Sequence, residues 1–114
     1  MSSVAHFALL AGASWIGEYG DPDVEDDWAF IQTFSPYHLV DDQRAYPPAL
    51  QLTSTRDDRV HPGHARKMMA RLQEAGKDVL YFENIEGGHG GAADNRQRAH
   101  MEALYLQFLW DRLG

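Results

Sequence analysis

The chain contains no cysteine. Disulfide staples, thiolate metal sites and a cysteine nucleophile are therefore excluded. Long apolar runs are also missing. The opening stretch, Phe7 to Ala11, falls far short of the roughly 18 residues a spanning helix needs. No Lys or Arg precedes it, so it does not read as a secretory leader either. A soluble, cytoplasmic protein is the expectation. Positive charge is scarce: ten Lys plus Arg stand against seventeen Asp plus Glu, a net charge of −7. Such a field repels phosphate backbones and anionic lipid, which argues against nucleic-acid and membrane partners.

What is present is ordinary globular material. Hydrophobic residues make up 44% and charged residues 24%, and three Trp, five Tyr and five Phe supply aromatic area for a core. At 114 residues the chain is expected to form a single domain, 1–114. There is no internal repeat and no low-complexity segment.

Hydrophobic periodicity and turn residues divide the chain into elements. Phe7 to Ala13 is compatible with a short buried strand, although it is too brief to separate from a helical turn. The turn cluster Tyr19-Gly20-Asp21-Pro22-Asp23 precedes acidic Asp23, Glu25, Asp26 and Asp27, with apolar Trp28, Ile31 and Phe34 behind them. Acidic residues suit a helix's first turn, which predicts a helix over Val24 to Phe34. Pro47-Pro48 introduces a strand, Ala49 to Ser54. Beyond the charged Arg56-Asp57-Asp58-Arg59 loop, Pro62 suits a helix start. Ala65, Met68, Met69 and Leu72 then mark one apolar face, and Gly76 marks the end. Asp78 to Phe82 reads as a second strand, and Glu86 to Gly91 as a glycine-rich loop. Met101, Leu104, Tyr105, Phe108 and Leu109 predict a last helix, Asn95 to Arg112, with one buried face. Strand, helix, strand, helix is an α/β pattern whose two strands should run parallel. A parallel sheet of two to three strands is small, because such sheets normally have neighbours at both edges.

In open α/β sheets the functional groups gather beyond the carboxyl ends of the strands. The loop after the first strand carries Asp57 and Asp58, and the loop after the second carries His89 between glycine pairs. An acid that orients an imidazole, followed by the imidazole, gives two members of a Ser-His-Asp triad. Taken alone, the same residues also suit a solvated acidic turn and a Gly-His-Gly turn.

The block Thr53-Ser54-Thr55-Arg56-Asp57-Asp58-Arg59-Val60-His61-Pro62, with Gly87-Gly88-His89-Gly90 further along, resembles the carboxyl-terminal part of the catalytic domain of prolyl oligopeptidase family serine peptidases. Upstream, Ala11-Gly12-Ala13-Ser14-Trp15-Ile16-Gly17-Glu18-Tyr19-Gly20-Asp21-Pro22 and Ser35-Pro36-Tyr37-His38 extend the likeness over nearly the whole chain from Phe7. The resemblance implies part of an α/β-hydrolase fold, a small parallel sheet flanked by helices. It implies Asp57 as triad acid and His89 as general base. It further implies Arg59 as the arginine that binds a substrate carbonyl, and Trp15, Tyr19 and Val60 as the wall of a proline pocket. The implied chemistry is peptide-bond hydrolysis after proline, with neither cofactor nor metal.

The family's Gly-x-Ser-x-Gly nucleophile elbow does not occur in these 114 residues. Ser14 does precede Asp57 and His89 in hydrolase order, but the second glycine of Gly12-Ala13-Ser14-Trp15-Ile16-Gly17 is one residue late. A truncated domain without its serine is therefore expected to be inactive alone. Its exposed sheet edge should pair with a second copy or with a complementing hydrolase fragment, around a proline-containing peptide. His61 and His64 lack a third metal ligand at a recognisable spacing. Asp21 to Asp27 lacks the alternating ligands and central glycine of a calcium loop. Arg56, Arg59, Arg66, Lys67 and Arg71 form a basic group that Asp41, Asp42, Asp57 and Asp58 offset.

Overall fold

A computed structural model describes residues 11–114 of the chain. A 3-10 helix, Ala11–Trp15, runs into the short helix α1, Ile16–Tyr19. The remaining elements are α2 (Glu25–Gln32), β1 (Ala49–Ser54), α3 (Gly63–Glu74), β2 (Val79–Asn84) and α4 (Asn95–Leu113). The strand expected over Phe7 to Ala13 is corrected at its end, since residues 11–13 are helical, and the rest of it lies outside the described residues.

The two strands form a parallel pair, in register from Ala49 opposite Val79 to Ser54 opposite Asn84. Pro47 and Pro48 cannot donate to a ladder, so pairing begins where they end. The Ala49 amide donates to the Asp78 carbonyl at 3.0 Å. Helix α3 crosses between the strands and packs on both, with Ala65, Met68, Met69 and Leu72 all half-buried, as their spacing requires. The segment before β1 is strapped to α3. Arg71 donates to the Val40 carbonyl at 3.1 Å and to the Asp42 carboxylate at 2.7 Å. Lys77 donates to the Asp42 and Arg44 carbonyls at 2.9 and 2.8 Å. Asp94 caps α4 by accepting from the Gln97 amide at 2.8 Å, which satisfies a donor the helix leaves free.

The expected core does not form. Among the described residues no apolar side chain is fully buried. On α4, Met101, Leu104 and Phe108 turn toward cover, but Tyr105 and Leu109, expected on the same buried face, are 40% and 43% exposed. The reason is supply of surface: two strands are too narrow to cover a 19-residue helix whose apolar positions occupy more than one face. The whole chain exposes 7877 Å². A folded monomer of this mass exposes roughly 6300 Å². None of the described helices is long and apolar enough to cross a membrane.

Candidate active site

The register of the sheet places Ser54 and Asn84, the last residues of the two strands, opposite each other. The loops that carry Asp57 and His89 therefore leave from one edge. They stay paired beyond it: the Thr55 amide donates to the Asn84 carbonyl at 2.9 Å, and the Arg56 amide to the Gly87 carbonyl at 3.2 Å.

At the end of these paired loops His89 Nδ1 stands 3.0 Å from both carboxylate oxygens of Asp57. A carboxylate only accepts, so Nδ1 carries the proton and donates, which leaves Nε2 with its lone pair. Asp57 is held from the other side as well. Its Oδ1 accepts the backbone amides of Arg59 at 3.0 Å and Val60 at 2.8 Å. Burial pushes the Asp57 carboxyl up, but the Val60 and Arg59 amides and the His89 ring together outweigh it and hold it below its usual range. The acid is nearly enclosed at 12% side-chain exposure, while the imidazole is 45% exposed. A fixed, largely shielded anion behind an accessible base is the arrangement that general-base chemistry needs.

Two glycines shape the histidine loop. A Cβ at Gly87 would lie 2.3 Å from the Gly91 carbonyl oxygen, so no other residue fits without moving backbone. Gly91 itself has φ +84°, in the left-handed region.

A cavity of about 470 Å³ opens beside the pair, lined by Tyr37, Leu52, Val60 and Met68 together with Asp57 and His89. Val60 is one of the residues lining this cavity. Arg59 is exposed on the same loop, and its amide binds Asp57. Trp15 and Tyr19 belong to the 3-10 helix and to α1, and they do not line this cavity. Ser14 lies within the same 3-10 helix, which is not a strand-to-helix elbow. Of the five basic residues, Arg66 forms an ion pair with Glu83 and Arg71 with Asp42. His61 accepts the Gly63 amide at 3.0 Å, as a helix-start residue would. Among the described residues no group of three His, Asp or Glu could hold a metal ion.

Sequence reasoning overlooked Glu83. Its carboxylate accepts from Arg66, from the Thr55 hydroxyl and, at 2.6 Å, from the Tyr81 hydroxyl, which joins β2 to α3 and to the start of the Asp57 loop. These donors, Arg66 foremost, pull its pKa down to about 2. Burial, and then the hydrogen bond to Glu83 with its charge, push Tyr81 up to about 12. The alternation of Tyr81 and Glu83 on one face of β2 was the available signal.

The sequence pattern of the prolyl oligopeptidase family matches residues 3–114. An uncharacterized peptidase of Sinorhizobium fredii is 48% identical over 105 residues, which cover 92% of this chain and 14% of that protein. Prolyl oligopeptidase A of Amanita bisporigera is 36% identical over 107 residues, covering 90% and 14%. A solved structure from a study of two prolyl endopeptidases superimposes with a TM-score of 0.83 at 33% identity, over 96% of this chain and 17% of that one. The chain therefore spans about one seventh of the length of these curated relatives.

Proposed function

The chain belongs to the prolyl oligopeptidase family, and we propose that Asp57 and His89 serve in it as acid and base of a Ser-His-Asp triad whose serine lies outside these 114 residues. The observation that carries this reading is the Nδ1 contact to both Asp57 oxygens at 3.0 Å, from a loop on which His89 is accessible. In the complete site Nε2 of His89 takes the proton of the serine hydroxyl as that oxygen attacks the scissile carbonyl, then returns it to the leaving amine. Asp57 keeps the tautomer and stabilises the imidazolium. The substrate is a peptide cleaved after proline, with Arg59 on a substrate carbonyl and Val60, which lines the cavity beside the pair, against the proline ring. Alone, the chain has no activated nucleophile and turns over no peptide. The test is a proline-containing fluorogenic peptide offered to the isolated chain. Turnover that disappears in Asp57→Asn and His89→Ala would place a nucleophile within these residues and overturn the external serine, whereas turnover indifferent to both substitutions would refute their acid and base roles.

The exposed apolar surface favours a second component. No described apolar side chain is fully buried, and Gln51 Oε1 on β1 is buried without a hydrogen-bond partner. Each strand of the described two-stranded sheet keeps one edge unpaired, and a neighbouring strand added there would take up its free backbone donors and acceptors. That neighbour is a complementing hydrolase segment bearing the serine, and a second copy of the chain is the alternative occupant. Light scattering together with fluorophosphonate labelling separates them. Labelling only in a mixture with the serine-bearing segment supports complementation, and a stable unlabelled dimer that excludes that segment supports self-pairing.

A further inference from the structure

Among the described residues only two polar side chains are buried, Ser54 at 2% and Asn84 at 9% exposure. They end β1 and β2 opposite each other, and both direct a donor at one acceptor. Ser54 Oγ donates to the Gly91 carbonyl at 3.0 Å, and Asn84 Nδ2 donates to the same oxygen at 2.8 Å. The second Nδ2 proton goes to Gln97 Oε1 at 2.8 Å, and Asn84 Oδ1 accepts the Glu86 amide at 3.2 Å. Gln97 closes the circuit. Its Oε1 also accepts the Ala93 amide at 2.9 Å, and its Nε2 donates to the Glu86 carboxylate at 2.8 Å.

All of these bonds except the one from Asn84 to Gln97, which ties the end of β2 to the start of α4, land on the loop that carries His89 or on its two ends. Glu86 is its entry, Gly91 and Ala93 its exit, and the Gly91 amide returns to the Gly88 carbonyl at 2.9 Å to close a turn around His89 itself. We propose that Ser54, Asn84 and Gln97 are positioning residues for His89: they fix the Gly91 carbonyl, and with it the turn that aims Nδ1 at Asp57. Burial explains why such a device is effective. A buried donor that loses its acceptor costs more than the bond contributes, so the loop cannot drift without leaving Ser54 and Asn84 unsatisfied. A purely structural polar pair at a strand end would need no shared acceptor, whereas here both strands converge on the carbonyl two residues beyond the histidine. The proposal rests on the reading of Asp57 and His89 as a functional pair.

The readout is the tautomer of neutral His89, from imidazole nitrogen-15 shifts of the full chain at about pH 8.5, roughly two units above the ordinary histidine range. In the wild-type chain the Nδ1–H form dominates, held by Asp57. In Asp57→Ala it relaxes to the mixture of a solvent-exposed imidazole. In Ser54→Ala and Asn84→Asp, the latter isosteric but turning an acceptor toward the Gly91 oxygen, the Nδ1–H to Nε2–H ratio falls about fivefold or more toward the Asp57→Ala value. That factor is the equilibrium equivalent of about one net hydrogen bond. If Asp57→Ala changes the ratio but neither positioning variant does, the proposal is overturned while the pair stands. If Asp57→Ala leaves the ratio unchanged, the pair itself is refuted and the proposal with it. Amide spectra verify folding, and should Asn84→Asp not fold, Ser54→Ala decides alone.

Discussion

The His89 ring and the Asp57 carboxylate, thirty-two positions apart, meet with Nδ1 at 3.0 Å from each oxygen. The contact is lopsided in what each partner contributes. Asp57 also satisfies two backbone amides and is nearly enclosed, whereas His89 is close to half exposed.

Removing the acid should therefore cost more stability than removing the base. Asp57→Ala leaves the exposed Arg59 and Val60 amides to water and is expected to lower unfolding free energy by about 1–1.5 kcal/mol. His89→Ala leaves the carboxylate with both amide donors and should cost less than about 1 kcal/mol. Urea denaturation of the two variants checks the order. Because the folded-state pKa of Asp57 is depressed, its contribution is complete above the ordinary carboxylate value and fades as pH falls below it.

Glu83 defines a second acid-sensitive point. Its pKa falls from 4.5 unfolded to about 2 folded, so its stabilisation is full above about pH 4.5 and is lost as pH drops toward 2. Tyr81 works in the opposite sense: raised from 10 to about 12, it stabilises fully below pH 10 and progressively less up to 12. Half of the Arg66 side chain is exposed, so Glu83→Gln is expected to cost only about 1 kcal/mol after solvent screening. The check is thermal unfolding against pH: Glu83→Gln should flatten the acid limb, and an unchanged limb would assign it to other carboxylates.

Gly87 and Gly90 flank His89 but should respond differently to alanine. At Gly87 the new Cβ meets the Gly91 carbonyl at 2.3 Å, while at Gly90 nothing lies within 4 Å. Gly87→Ala should displace the loop, cost about 1–3 kcal/mol and abolish the Nδ1–H preference of His89. Gly90→Ala should leave both nearly unchanged. Equal effects in the two variants would show that the Gly87–Gly91 approach does not shape the site.

On α4, Leu106, Trp110 and Leu113 recur at helical spacing and are 56%, 74% and 82% exposed. Covering such side chains is worth about 1.5–3 kcal/mol each. The isolated chain is thus expected to self-associate or to bind an apolar dye, and Leu106→Lys with Trp110→Lys should reduce both. Light scattering at several concentrations measures this, and a mass unaffected by the double substitution would show that the association uses another surface.

How much of this was legible beforehand differs from residue to residue. Pro47-Pro48, the apolar spacing from Ala65 to Leu72 and that from Met101 to Leu109 are local signals, and β1, α3 and α4 formed within a residue or two of where they point. The Asp-then-His order at two strand ends was equally visible. The buried face expected for α4 was misjudged because periodicity reports which positions are apolar, not whether a neighbour exists to cover them.

By itself, then, the sequence determined β1, α3, β2 and α4 and the Asp-then-His order at the strand ends, since each is written in local residue types, and the strand–helix–strand order made parallel pairing the expected one. Only the tertiary structure decided that Asp57 faces His89, that Ser54 and Asn84 share the Gly91 carbonyl, and that Glu83 binds Arg66 and Thr55. Those contacts join residues brought together by strand register. Register is carried by the hydrogen-bond ladder between β1 and β2, and although Pro47-Pro48 marks where pairing can begin, neither strand's local sequence names the residues it will face.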